Sequence, residues 1–160
     1  MTIPVKLSEK DFISASFAII SARKSVKIFI GVFVFIILFN VIMGFVNNGF
    51  SAETVLPGVI VFAIFGGVYY LGMKRSFKAN KRLSETITYT FNNDVLQVAG
   101  ESFTSVMSWE KIYKVTAGKK WLLVWQNKQM ANVIPVSAVP ANGLDIIKNI
   151  LTKRQVPFNF

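Results

Sequence analysis

The sequence predicts a membrane α+β protein: a two-span transmembrane helical hairpin followed by a small antiparallel β domain that a C-terminal helix closes. Three observations predict it. Between Lys27 and Lys74 the one charged residue is Glu53. From Ser84 apolar and polar side chains alternate with a period of two. Beyond Pro140 the apolar residues return to the helical period.

The uncharged stretch divides into two runs. Ile28 to Val46 holds no charge and one strongly polar side chain, Asn40, and at 1.5 Å per residue it reaches about 28 Å, one hydrocarbon thickness. Val55 to Met73 is diluted by Gly58, Gly66, Gly67 and Gly72. Each costs a water-soluble helix about 1 kcal/mol but is tolerated in lipid, where unravelled backbone finds no partner. The competing reading is a pair of buried helices in a soluble protein. A helix at a protein surface keeps a polar face, whereas Phe29 through Phe39 is apolar or glycine all round. A cleaved leader is not expected either, because a second span follows the first at once and the cleavage pattern before Ala52 is poor.

Lysine and arginine set the orientation. Arg23, Lys24 and Lys27 precede the first span and Lys74, Arg75, Lys78, Lys81 and Arg82 follow the second, while the loop Asn47 to Thr54 carries neither residue type. By the positive-inside rule both termini are expected in the cytoplasm of a bacterial inner membrane. Tyr69 and Tyr70 fall near the inner interface, as headgroup-level aromatics or as ordinary helix contacts. The chain has 18 Lys plus Arg against 8 Asp plus Glu, a formal charge of +10. In a soluble protein that balance suggests nucleic acid, but here the flanking clusters account for much of it through topology and the anionic inner leaflet, so no nucleic-acid partner is expected. The sequence contains no cysteine and no histidine, which removes disulfides, thiolate chemistry and the commonest metal ligand and general base.

Four segments follow. Residues 1–27 read as an extended piece, then a helix that Ser8 caps with Asp11 at its third position. Its stripe of Phe12, Ile13, Phe17 and Ile20 suits either an interfacial helix or one packed on the cytoplasmic domain. Residues 28–73 are the hairpin, 28–46 and 55–73. Residues 74–83 continue as a helix whose Lys74, Arg75, Lys78, Lys81 and Arg82 share a sector of about 120°, a basic face for lipid phosphates or a solvated topology signal. Residues 84–160 form the β domain, with strands expected at Thr86 to Phe91, Val95 to Ala99, Phe103 to Trp109, Lys111 to Thr116, Trp121 to Gln126 and Met130 to Pro135. Pro140 ends them. Asn142 offers a cap and Leu144, Ile147, Ile150 and Leu151 form the stripe of a closing helix.

Six strands and one helix after a two-span hairpin resemble the YcxB-like family of bacterial membrane proteins. The residues that carry the resemblance are Trp109 and Ile112 in a W-x-x-I spacing, the WLLVW strand Trp121 to Trp125, and Ile134-Pro135 before the helix. The resemblance implies a pleckstrin-homology-like (PH-like) cytoplasmic domain. Such a sheet has seven strands, and Thr2 to Lys6 is expected to add the seventh at an edge. Where the family tends to carry a basic residue after the proline, this chain has Val136. Pleckstrin-type domains that bind phosphoinositides use a basic loop between their first two strands; the turn matched to it here, Asn92 to Asp94, is neutral to acidic.

No catalytic, cofactor-binding or metal site assembles from the sequence. Asp94, Glu101, Glu110 and Asp145 are scattered, each with a turn or helix-start explanation. The candidate binding residues are the basic set Lys74, Arg75, Lys78, Lys81 and Arg82, and a hairpin tip of Lys119, Lys120 and Trp121, joined by Lys114, where cations and an aromatic can meet headgroups or an acidic protein. For packing inside the membrane, Asn40 is expected to bridge the two spans or two copies, and Ala63 with Gly67 forms a small-x-x-x-small pair. The expected function is a non-enzymatic adaptor or assembly module, its partners membrane lipids and a protein or a second copy. The alternative class is an immunity-type protein that blocks a toxin or enzyme acting at the bilayer.

Overall fold

The computed structural model describes residues 1–46 and 52–160; the first part of the expected hairpin loop, 47–51, lies outside the described residues. The chain order is β1 (Thr2–Lys6), α1 (Glu9–Ser21), α2 (Lys24–Val46), α3 (Ala52–Ala79), β2 (Thr86–Phe91), β3 (Val95–Ala99), β4 (Thr104–Ser108), β5 (Lys114–Ala117), β6 (Trp121–Trp125), β7 (Ala131–Pro135), α4 (Gly143–Lys153) and β8 (Phe158–Asn159).

The strands make two four-stranded sheets, ordered β1-β2-β3-β4 and β7-β6-β5-β8. β1 is an edge strand, antiparallel to β2 with Ile3 opposite Tyr89 and Lys6 opposite Thr86. Pro4, which has no N–H to give a ladder, is tolerated at such an edge. Ile3 and Val5 turn inward and their neighbours outward, the period-two pattern of a half-buried strand. The amino terminus closes the pairing: the Phe91 N–H donates to the Met1 carbonyl at 2.7 Å.

Both sheets and α4 enclose one core. From the first sheet come Ile3, Tyr89, Phe91 and Leu96, from the second Val115, Leu122, Val124 and Ile134, and from α4 Ile147, Ile150 and Leu151. Trp109, on a 3-10 turn over Trp109–Lys111, fills the corner between the sheets. Its indole N–H donates to the Asn92 carbonyl at 2.9 Å and its ring lies 6.0 Å from that of Phe91. That turn shortens the strand expected from Lys111, which begins at Lys114. Asn142 stands at the start of α4 without a side-chain capping bond. At the other end, the Val156 N–H reaches back to the Leu151 carbonyl (2.9 Å) and the Gln155 N–H to Thr152 (3.2 Å), a Schellman motif that places Gln155 at φ 54°. Arg154 then ties the helix end to the β2–β3 turn, pairing with Asp94 and donating to the Asn93 carbonyl. β8, which two residues give no periodicity to reveal, runs parallel to β5 and covers its edge.

α1, α2 and α3 are inserted between the paired strands β1 and β2. Because Lys6 and Thr86 are partners, the chain leaves and re-enters the sheet at one place. The connection between the first two strands of the sheet is therefore this whole helical insertion, and the sequence match of that loop to Asn92 to Asp94 is corrected: the latter joins β2 to β3. α1 begins with the expected capping box, Ser8 accepting from the Asp11 N–H while Asp11 accepts from the Ser8 N–H. Its Ile13 and Ala15 are buried, and it lies between the outer face of the second sheet and the long helices. Phe12 packs against Phe77 and Phe17 against Tyr69, with centroids 5.5 and 5.6 Å apart. α1 thus packs on the β domain and on the long helices together.

α2 and α3 are long and apolar enough to cross a membrane, and α2 buries no residue within the chain. A core helix of a soluble protein would have its apolar side chains covered; here Phe35 is 68% and Phe65 71% exposed. The two touch through Phe33 stacked on Phe62, centroids 4.8 Å apart, with Gly58 beside Phe33.

Candidate functional site

The expected sites separate. Lys74, Arg75 and Lys78 occupy the last turns of α3, but the helix stops at Ala79. Asn80 adopts extended geometry (φ −105°, ψ 96°) and its side chain caps a 3-10 turn over Lys81–Ser84, accepting from the Arg82 N–H at 3.1 Å. An asparagine amide competes with helix continuation in this way. The single basic helical face expected over 74–83 is therefore corrected to two groups. Lys74 pairs with Glu9 of α1 at 3.7 Å, and Arg82 lies over the Phe103 ring at 5.7 Å.

Within the chain, Asn40 donates its amide to the Ile36 carbonyl one turn back (2.8 Å), so its bond is made inside its own helix and not to α3. Ala63 and Gly67 are exposed, a Cβ added at Gly67 would meet nothing within 4 Å, and the two long helices of one chain meet at Phe33, Gly58 and Phe62.

The β5–β6 hairpin presents its outer face to α1. At its tip Lys119 and Lys120 are exposed and Trp121 is half-buried, beside a recess of about 290 Å³ that Ala18 of α1 also lines. Lys114 does not join them. It sits at the far end of β5, opposite Trp125, with its ammonium 5.2 Å from the Trp125 ring and 5.7 Å from that of Tyr113. Trp125 is buried and its indole N–H donates to Thr116 Oγ1 at 3.0 Å, which fixes the ring beneath the lysine.

At that far end a cavity of about 420 Å³ opens between the α1–α2 junction and the β6–β7 turn. Arg23, Lys24, Lys114 and Lys128 line it together with Tyr113 and Trp125, and no carboxylate is among its lining residues. The local chain explains the shape. α1 ends at Ser21, Arg23 leaves helical geometry, and α2 starts at Lys24, so the chain bends where the cations are. Across the cavity the β6–β7 turn is held by Asn127, whose side-chain oxygen accepts from the Gln129 and Met130 N–H groups at 2.8 and 2.9 Å. Arg23 donates to the Gln129 carbonyl at 2.8 Å, and its Nε is shielded from solvent and bonds to nothing in the protein. α2 has no acidic residue in its first turn, so its positive dipole end adds to the four cations instead of being neutralised. The ion pairs Glu9–Lys74 and Asp94–Arg154 use none of them.

A second, apolar groove of about 750 Å³ is lined by Phe17, Phe29, Phe33, Phe62, Phe65 and Tyr69 among others. In the sequence Arg23 and Lys24 read as topology signals and Lys114 as part of the hairpin tip, and nothing local marks Tyr113, Lys128 or Gln129. The contacts that gather them span about a hundred residues, and no local period encodes that meeting. No family model, curated protein or solved structure matches the chain.

Proposed function

We propose that the chain is an integral inner-membrane protein of the YcxB-like kind, whose α2 and α3 cross the bilayer and hold a PH-like β domain against its cytoplasmic face, where the domain works by binding as an adaptor or assembly module. One observation carries the reading: a side-chain-exposed helix pair, uncharged over Ile28 to Val46 and Val55 to Met73, is inserted between two strands that are themselves paired. In water, covering an aromatic or aliphatic side chain is worth about 1.5–3 kcal/mol, and so large a continuous apolar surface is not left open on a soluble monomer. Lipid satisfies it.

The insertion also sets how the domain would sit. Two covalent links emerge from adjacent strands, and α1 wedges between sheet and helices through the Phe12–Phe77 and Phe17–Tyr69 contacts. A domain held this way has one orientation to the bilayer, which favours presenting a fixed surface over searching at the end of a flexible tether. The PH-like reading is supported by two packed sheets with a helix closing the core.

The test has two parts. Membranes washed with alkaline carbonate should keep the chain, and reporters at either terminus should be active only in the cytoplasm. Release into the wash, or an active external reporter, refutes the membrane reading. Crosslinking in native membranes followed by mass spectrometry should then recover a partner protein at the β domain; self-crosslinks alone would replace the adaptor by a homo-oligomer.

A further inference from the structure

We infer that the cavity between the α1–α2 junction and the β6–β7 turn is a binding site for the phosphate headgroup of an anionic glycerophospholipid. The inference rests on the membrane reading above and adds a ligand and a place to it.

The lining chemistry selects an anion. Arg23, Lys24, Lys114 and Lys128 converge from two parts of the chain with no carboxylate among them. Four like charges held around one cavity repel, and an occupant of opposite charge removes that cost. Arg23 is held at the cavity by its bond to the Gln129 carbonyl, which uses one terminal nitrogen of the guanidinium. Lys114 is steadied by the Tyr113 and Trp125 rings. By contrast Arg75 and Lys78 stand exposed on α3, and neither lines one of the cavities described.

The level selects a lipid over a soluble phosphate. Lys24 opens α2 and the uncharged run begins at Ile28, four residues on, about 6 Å along the axis. The polar zone on each side of a 30 Å hydrocarbon core is about 5–8 Å deep, so the cations fall at phosphate depth. Ser25, which lines the polar cavity, and Phe29, which lines the apolar groove, are one turn apart on the same side of α2. An acyl chain can therefore descend along α2 from a headgroup seated above.

The experiment uses the full chain in detergent micelles, with palmitoyl-oleoyl phosphatidylglycerol or the zwitterionic phosphatidylcholine added, and native mass spectrometry counting the lipid retained. Wild type should retain phosphatidylglycerol over phosphatidylcholine. The double variant Lys114→Gln/Lys128→Gln should weaken that retention about 10- to 30-fold, from about 1 kcal/mol per cation near an anionic surface. Lys111→Gln/Lys153→Gln, two exposed lysines of the β domain outside the cavity, should leave it unchanged. Equal retention of the two lipids by wild type, or wild-type retention by the Lys114/Lys128 variant, overturns the assignment. So does complete displacement by about 10 mM inorganic phosphate, which would mark a site for soluble anions. Arg23→Gln supplies a third variant, its fold checked by tryptophan fluorescence because Arg23 also bridges to Gln129. Carbonate extraction runs alongside: a wild-type chain that stays in the membrane without preferring the anionic lipid defeats this site alone, whereas one that washes out defeats the membrane reading itself.

Discussion

Replacing Ile3 by alanine tests the link on which the anchoring geometry depends, the pairing of an N-terminal strand with β2 across the helical insertion. Ile3 is 0% exposed and sits opposite Tyr89 in the core. The substitution removes three carbon groups, about 2.4 kcal/mol of transfer free energy at 0.8 kcal/mol each, and the cavity left behind raises the expected loss to about 2–5 kcal/mol. Against a domain stability of about 5–15 kcal/mol this is a large fraction. All three tryptophans, Trp109, Trp121 and Trp125, lie in the β domain, so their fluorescence in a urea titration of the detergent-solubilised chain reports that domain and not the long helices. With a slope of about 2 kcal/mol per molar, the midpoint should fall by about 1–2.5 M. Lys6→Ala, on the exposed side of the same strand, should shift it by less than about 0.5 kcal/mol. A wild-type midpoint for Ile3→Ala would show that β1 does not close the sheet, and the account of how the domain is held would fail with it.

Burial pushes the Tyr89 phenol from its ordinary 10.0 up to about 12. Below pH 10 the phenol is neutral in both states; between pH 10 and about 12 the unfolded chain ionises first, so stability should fall by about 1.4 kcal/mol per pH unit, and Tyr89→Phe should flatten that fall when urea midpoints are compared across the range. Gln155 holds a positive φ that glycine adopts freely, so Gln155→Gly should stabilise the domain by about 1 kcal/mol, read as a higher urea midpoint. A Cβ added at Gly143 would come within 2.6 Å of Val139 Cγ1 and 3.1 Å of Met1 Sδ, so Gly143→Ala should cost about 1–3 kcal/mol in the same titration, the α4 start being forced off both neighbours.

Much of the architecture was legible in local order. Period two located β2, β-rich runs between turn residues located β3 to β7, the Ser8–Asp11 spacing located the α1 cap, and the charge gap from Lys27 to Lys74 located α2 and α3. The edge strand expected at Thr2 to Lys6 is paired with β2, and β8 brings the strands to eight where seven were expected. Local order misled where a side chain had a nearer partner than the one expected. Asn80 caps its own turn and splits the basic face, and Asn40 bonds its own helix. Within one chain the contact between the long helices is the aromatic stack of Phe33 on Phe62 and not one at Ala63 and Gly67.

The sequence by itself determined most of the helix and strand segments, and that the helix pair has no polar face, because hydropathy and period act over a few residues. Tertiary structure alone decided that the strands divide into two sheets, that β8 seals one of them, and that Arg23 and Lys24 meet Lys114 and Lys128. The physical reason is range: a periodic pattern fixes which face of an element is dry, while the neighbour that covers it is chosen by packing among elements far apart in the chain.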